Sequence, residues 1–210
     1  MRYRITGWVF FCGLMAILTV RGQKQVDPNL IREHYRSGTE FLKKGEYKKA
    51  ILEYTRVIYA QPRFPEAYYN RGIAYAGLKQ YYAAIAEFSA AICLDIHFAD
   101  AYNIRGYYRS LLGKYAEAIP DFDRAIALNS SYAYAYNNRG YAKFRLKRYQ
   151  EALADFDRSI EKNPRNSFAF FNRGNCYKQL GNDELACFNW IKALNLGHKE
   201  AAEILKTNCK

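Results

Sequence analysis

Glycine stands at positions 38, 72, 106, 140 and 174, an interval of 34 residues each time. In three of these places it closes the trio Asn-Arg-Gly (Asn70-Arg71-Gly72, Asn138-Arg139-Gly140, Asn172-Arg173-Gly174), and Ile104-Arg105-Gly106 keeps all but the first letter. A glycine inside a helix costs about 1 kcal/mol relative to alanine, so its return at a fixed interval marks a recurring geometric need. Other columns share the period. Alanine follows twelve positions later at Ala50, Ala84, Ala118, Ala152 and Ala186, then an aromatic at Tyr54, Phe88, Phe122, Phe156 and Trp190, then an aliphatic at Ile58, Ile92, Ile126, Ile160 and Leu194. Twenty tyrosines and thirteen phenylalanines exceed what one compact core needs and suit many similar packing sites strung along the chain.

Apolar residues at spacings of three, four and seven predict two helices per period, separated by a short turn around Gly45, Lys79, Gly113, Lys147 and Gly181. Each unit is therefore a helical hairpin. Antiparallel helices approach closely only where side chains are small, so the glycine of the first helix is expected to face the alanine of the second, with the large aromatic beside them.

A 34-residue helix-turn-helix with these columns resembles the tetratricopeptide repeat family. The resemblance divides the chain into five units, 31–64, 65–98, 99–132, 133–166 and 167–200, with no insertion. The family's opening aromatic stands at Tyr68, Tyr102, Tyr136 and Phe170, with His34 in its place in the first unit. The closing proline survives at Pro62 and Pro164; Ile96, Ser130 and His198 replace it, which leaves the sharpness of those turns open. The resemblance implies an all-α, right-handed superhelical solenoid whose inner surface is lined by first helices. Residues 201–210 read as a C-terminal capping helix that covers the last unit with Ile204 and Leu205, and residues 23–30 read as a polar linker.

In the family, set positions of each first helix line an inner groove that holds a partner segment. They fall here on Glu66, Tyr69, Asn70 and Ile73, then Asp100, Asn103, Ile104 and Tyr107. The last two units contribute Tyr134, Asn137, Asn138 and Tyr141, then Phe168, Phe171, Asn172 and Asn175. The candidate binding residues are Tyr69, Asn70, Asn103, Tyr107, Asn137, Asn138, Tyr141, Phe171, Asn172 and Asn175. Asparagine amides both donate and accept, so a column of them suits the backbone of an extended peptide; the bland alternative is that they hold neighbouring helices together. Glu66 and Asp100 lie toward one end of this row, Arg145 and Lys178 toward the other. The clamp by which some family members hold a terminal carboxylate is missing, because Tyr35, Thr39, Asn70, Asp100 and Ile104 stand where its residues should be.

The arginines Arg71, Arg105, Arg139 and Arg173 recur beside a column of acids, Glu53, Glu87, Asp121 and Asp155. Each arginine is expected to reach an acid of its own or the preceding unit as a structural ladder, since an unpaired buried guanidinium is very costly; Asp121 and Asp155 are the expected partners of Arg139.

The first 22 residues differ in kind. Arg2 and Arg4 precede a mainly apolar run over 5–20, and Gly22 offers a small residue for cleavage. The run is short for the roughly 20 residues that span a bilayer, and the pattern reads as a secretory signal peptide, the alternative being an uncleaved N-terminal anchor. Its removal takes three arginines and leaves 29 basic against 20 acidic residues, scattered rather than clustered, so no nucleic-acid partner is expected. The protein is expected to be exported, periplasmic or secreted, or else anchored, with membrane contact through residues 1–22 alone. Export permits disulfides; a Cys176–Cys187 bridge is one possibility, and small apolar filling by free cysteines the other. His34, His97 and His198 have no carboxylate or cysteine at ligand spacing, and neither a phosphate-cradling loop nor a nucleophile with a base motif is found. No catalysis, metal or cofactor is expected.

The reading is a non-catalytic interaction scaffold that holds an extended protein or peptide segment in its groove. Its alternatives are a structural subunit of an envelope complex that uses the outer face or the ends, and an envelope-glycan-binding module.

Overall fold

The computed structural model describes residues 27–209; the signal-peptide expectation concerns residues outside that range. The described residues form eleven α-helices and no strand. They run α1 (Pro28–Lys43), α2 (Tyr47–Ala60), α3 (Pro65–Gly77), α4 (Tyr81–Leu94), α5 (Ala99–Leu111), α6 (Tyr115–Leu128), α7 (Ala133–Arg145), α8 (Tyr149–Lys162), α9 (Ser167–Gln179), α10 (Asp183–Asn195) and α11 (Glu200–Asn208). Helix α1 opens at Pro28, where the absent N–H costs nothing, and the Asp27 carboxylate accepts from the Asn29 N–H at 2.9 Å. Residues 28–30, read as linker from sequence, are therefore the first turn of a helix.

The turn inside each hairpin has one chemistry. Gly45, Lys79, Gly113, Lys147 and Gly181 all take a left-handed φ between 60° and 77°, and the next N–H reaches back to the last turn of the first helix. Such bonds are Glu46 to Phe41 (2.9 Å), Gln80 to Tyr75 (3.0 Å), Lys114 to Arg109 (2.9 Å), Arg148 to Lys143 (2.9 Å) and Asn182 to Tyr177 (3.0 Å). This is a Schellman closure, with lysine standing twice where glycine is easier. Between hairpins a side chain closes the turn, at two places where the proline is missing and at one, Asn163-Pro164, where it is kept. Asp95, Asn129 and Asn163 each accept from the N–H two residues on, at 2.8, 3.0 and 3.0 Å, fixing the turn as proline would.

The chain divides into two compact units, Met1–Ala101 and Tyr102–Lys210. In the first, α1 and α2 pack with α3 around Ala50, Tyr54 and Ala74, with Tyr35, Phe41 and Tyr47 alongside. In the second, Ala118 and Phe122 of α6 meet Ala142 of α7, Ala152 and Phe156 of α8 meet Cys176 of α9, and Ala186, Trp190 and Ala193 of α10 meet Ala201 of α11. Each cluster thus combines the alanine and aromatic of one hairpin with a small residue of the next element, so no hairpin closes its own core.

The glycine column faces that aromatic, closer than the alanine expected from sequence. A Cβ built on Gly72, Gly106 or Gly140 would stand 2.7, 2.8 or 2.7 Å from Phe88, Phe122 or Phe156, and one on Gly174 would stand 2.6 Å from Trp190. The helix propensity lost at each glycine is offset by burying a ring close against the neighbouring helix.

The arginine beside it is a clamp. Arg71 donates through Nε and Nη2 to both oxygens of Glu87 (3.0 and 2.9 Å) and through Nη1 to Thr55 (3.0 Å). Arg105 grips Asp121 the same way (3.1 and 2.6 Å). Arg139 grips Asp155 (3.0 and 2.5 Å) and reaches back to Asp123 at 2.6 Å, and Arg173 holds Asn189 (2.8 Å) and Asp157 (2.5 Å). Each guanidinium also covers the aromatic three residues before it, at 5.4–5.6 Å. Where the backward bond is seen, it bridges successive hairpins sixteen residues apart. One expected pairing is corrected: Asp121 belongs to Arg105 and to Arg109, which donates at 2.7 Å, and the second partner of Arg139 is Asp123, two residues further on and facing the next hairpin. Burial pushes the Glu87 carboxyl above its usual range, outweighing the pull of Arg71. In Arg139 burial acts to lower the pKa, and the bonds to Asp155 and Asp123 carry it upward instead.

The first hairpin lacks the arginine, since Ser37 stands in its place. Glu53 is held by His34 Nδ1 and Arg56 Nη1, both at 2.7 Å.

Candidate partner-binding surface

The residues singled out from sequence lie on first helices. In the first unit, the Tyr69 ring packs on Phe98 (4.9 Å) and Phe88 (5.7 Å), and Asn70 Nδ2 donates to the Tyr35 hydroxyl at 2.9 Å. Both are half-buried.

In the second unit the asparagines interlock. Asn103 and Asn137 are buried. Asn138 Nδ2 donates to Asn103 Oδ1 (3.1 Å), Asn137 Nδ2 donates to Asn138 Oδ1 (3.3 Å), and Asn172 Nδ2 donates to Asn137 Oδ1 (3.1 Å). Asn103 Nδ2 continues the chain to the Tyr132 hydroxyl at 3.2 Å. The amide of one first helix therefore bonds the helix of the preceding hairpin, 35 residues back, joining α5, α7 and α9. Asn175 Oδ1 accepts from the Trp190 indole N–H at 3.0 Å and faces the hairpin core. These amides hold the framework, the role the sequence left as the bland alternative.

The rings behave differently. Tyr107, Tyr134 and Phe168 are exposed and Tyr141 is half-buried. Tyr107 meets Tyr108 edge-on at 5.1 Å. Arg145 lies over the Tyr115 ring at 4.8 Å and the Tyr141 ring at 5.7 Å and donates to the Tyr141 hydroxyl at 2.9 Å. Phe171 is half-buried against the His198 imidazole at 4.1 Å, with Phe168 on the same imidazole at 5.0 Å. Lys178, expected to charge this face, is tied to Asp183 at 3.0 Å. Sequence reasoning missed the Tyr115–Arg145–Tyr141 cluster; its signal was an arginine four residues after a groove tyrosine, which is one turn of the same helix face.

The cysteines resolve differently from the bridge considered above. Cys187 pairs with Cys209, with Cα atoms 5.8 Å apart, which pins the end of α11 to α10. Cys176 is free and buried, and burial pushes its thiol up to about 11, so it is a packing residue with little thiolate.

Comparison with known proteins agrees with the repeat pattern. Tetratricopeptide repeat models match residues 38–79, 65–95, 105–167 and 156–188. No curated protein matches the chain. Among solved structures, the MamA protein is 27% identical with a TM-score of 0.72, over 84% of this chain and 96% of that one. MamA 41-end from Desulfovibrio magneticus RS-1 shares the fold at 18% identity and TM-score 0.75, over 84% of this chain and 98% of that one. YrrB, described as a TPR protein with an unusual peptide-binding site, shares it at 24% identity and TM-score 0.69, over 82% and 90%. Period, helix pairing, turn chemistry and these matches together establish that the chain belongs to the tetratricopeptide repeat family.

Proposed function

We propose that this protein is an exported, non-catalytic scaffold whose first-helix face in the second unit holds an extended segment of a partner protein. One observation carries the reading: Tyr107, Tyr134 and Phe168 stay exposed above a floor of asparagines already bonded to one another. Large rings left in water on a rigid floor suit apolar side chains of a ligand, and tyrosine is frequent among interface hot spots. The amides keep lone pairs for backbone contacts, so they serve first as framework and second as ligand contacts. Arg145, exposed and braced by two tyrosines, favours an acidic residue in the segment. Export is supported by the basic-apolar start of the chain and by the Cys187–Cys209 bond, which suits an oxidising compartment.

The test begins with capture of partners by the full chain from its native host, identified by mass spectrometry. The captured segment is then titrated against Tyr134→Ala and Tyr141→Ala. Each variant is expected to weaken binding roughly tenfold, about 1.4 kcal/mol, with helix content unchanged. Unaltered affinity in both would move the working surface to the outer helices.

A further inference from the structure

Helix α10 carries a row of four exposed apolar residues, two of them in columns that are mostly polar or charged in the other outer helices. Leu185, Phe188, Ile191 and Leu194 are 39%, 51%, 47% and 37% exposed; Phe188 and Ile191 stand on the side of the helix away from its buried Ala186, Trp190 and Ala193, and Leu185 and Leu194, nine residues apart, flank them on opposite edges. The 34-residue register shows how unusual this is. The column of Leu185 holds Lys49, Ala83, Glu117 and Glu151 in the other units, and the column of Ile191 holds Thr55, Ser89, Asp123 and Asp157. In the column of Ile191 the residue elsewhere accepts the following arginine, as Thr55, Asp123 and Asp157 do. The last hairpin thus exchanges charged and polar positions for leucine and isoleucine on a face that α11 leaves open.

The row is symmetric about the point midway between Asn189 and Trp190: Leu185 mirrors Leu194, and Phe188 mirrors Ile191. The ends are complementary in charge. The exposed Glu184 precedes the row, and the exposed Lys192, which lies over the Phe188 ring at 5.5 Å, is near its far end. From this we infer that the occupant of the face is a second copy of the same chain, with the two α10 helices antiparallel about a two-fold axis. Phe188 of each copy then meets Ile191 of the other, Leu185 meets Leu194, and Lys192 comes within one turn of the other copy's Glu184. An isologous contact of this kind needs one self-complementary patch and closes at two subunits. Four partly exposed side chains bury less than the roughly 800 Å² per partner of a standard interface, so the dimer is reversible and concentration-dependent. It leaves the first-helix rings of both copies uncovered, and two linked sites raise avidity for a partner with two segments.

Sedimentation equilibrium of the full chain from roughly 1 µM to 1 mM tests the inference. Wild-type protein is expected to move from monomer toward dimer. Phe188→Asp should raise the dissociation constant roughly tenfold or more with helix content retained. Glu184→Lys and Lys192→Glu should each weaken association, and the double swap should restore it, which only the antiparallel arrangement predicts. Tyr134→Ala and Tyr141→Ala should leave the dimer intact, which separates this test from that of partner binding. A monomer throughout the range, association indifferent to Phe188→Asp, or a double swap no better than the single ones would overturn it.

Discussion

Replacing Arg139 with methionine asks what the arginine clamp contributes. Its side chain is 18% exposed and that of Asp155 5%, so the pair is nearly out of water. Breaking a buried pair by deleting one member typically costs 3–5 kcal/mol. Asp155, however, keeps a second cation, Lys143, whose Nζ lies 2.8 Å away. The loss should therefore fall to about 2–3 kcal/mol. Double-mutant cycles by urea unfolding, followed by circular dichroism, divide it. Arg139→Met with Asp155→Asn should couple by about 1.5–3 kcal/mol, the range of charged hydrogen bonds. Asp123 is half exposed, and Asp123→Asn should couple by less than about 1 kcal/mol. Asp121→Asn should show no coupling, because Arg105 and Arg109 hold that carboxylate. A coupling to Asp155 below that to Asp123, or any sizeable coupling to Asp121, would refute the assignment.

Three further substitutions probe the backbone columns. Gly106→Ala gains about 1 kcal/mol of helix propensity but sets a Cβ 2.8 Å from Phe122 and 3.1 Å from the Asp121 Cβ; overpacking of 1–3 kcal/mol should leave a net loss of up to about 2 kcal/mol. Gly38→Ala, where the nearest atoms are at 3.0–3.2 Å on one ring, should be milder, and thermal unfolding in which the two behave alike would contradict the packing argument. Lys147→Gly relieves a left-handed φ of 61° and should stabilise by about 0.5–1 kcal/mol, raising Tm by roughly 1–4 °C; a lower Tm would show that the lysine side chain matters more than its backbone strain.

What repeated every 34 residues could be read from the sequence: the hairpins, their turns and the acids beside the arginines, though the glycine was expected to face the alanine and faces the aromatic instead. What depended on stacking could not. That Arg139 reaches Asp123, or that Asn138 bonds Asn103, follows from how one hairpin sits on the next, and that displacement is not written in any single unit. Cys209 lies beyond the last repeat, so no column pointed to its bond with Cys187. The linker misreading has a different cause. Asp27-Pro28 is itself a helix-start signal, and the family register, which begins at 31, drew attention away from it. Among the candidate site residues, position on the first helix was legible, but the division into interlocked amides and exposed rings was not, because tyrosine and asparagine look equally available in a sequence.

The clamp also bears on how an array of this kind can lengthen. An internal unit such as 133–166 carries every part it needs: Arg139, the gripping acid Asp155, and Asp157 for the neighbour that follows. A tandem duplication of that unit would bring its own donors and acceptors and meet matching ones on either side. The outermost units are not interchangeable with it, since the first has Ser37 where the arginine belongs and the last has Ile191 where the acceptor for a following arginine belongs. Recombination can thus insert copies in the middle without disturbing a bond, whereas a unit joined after residue 200 would keep its own gripping acid but meet Ile191 in place of the backward acceptor.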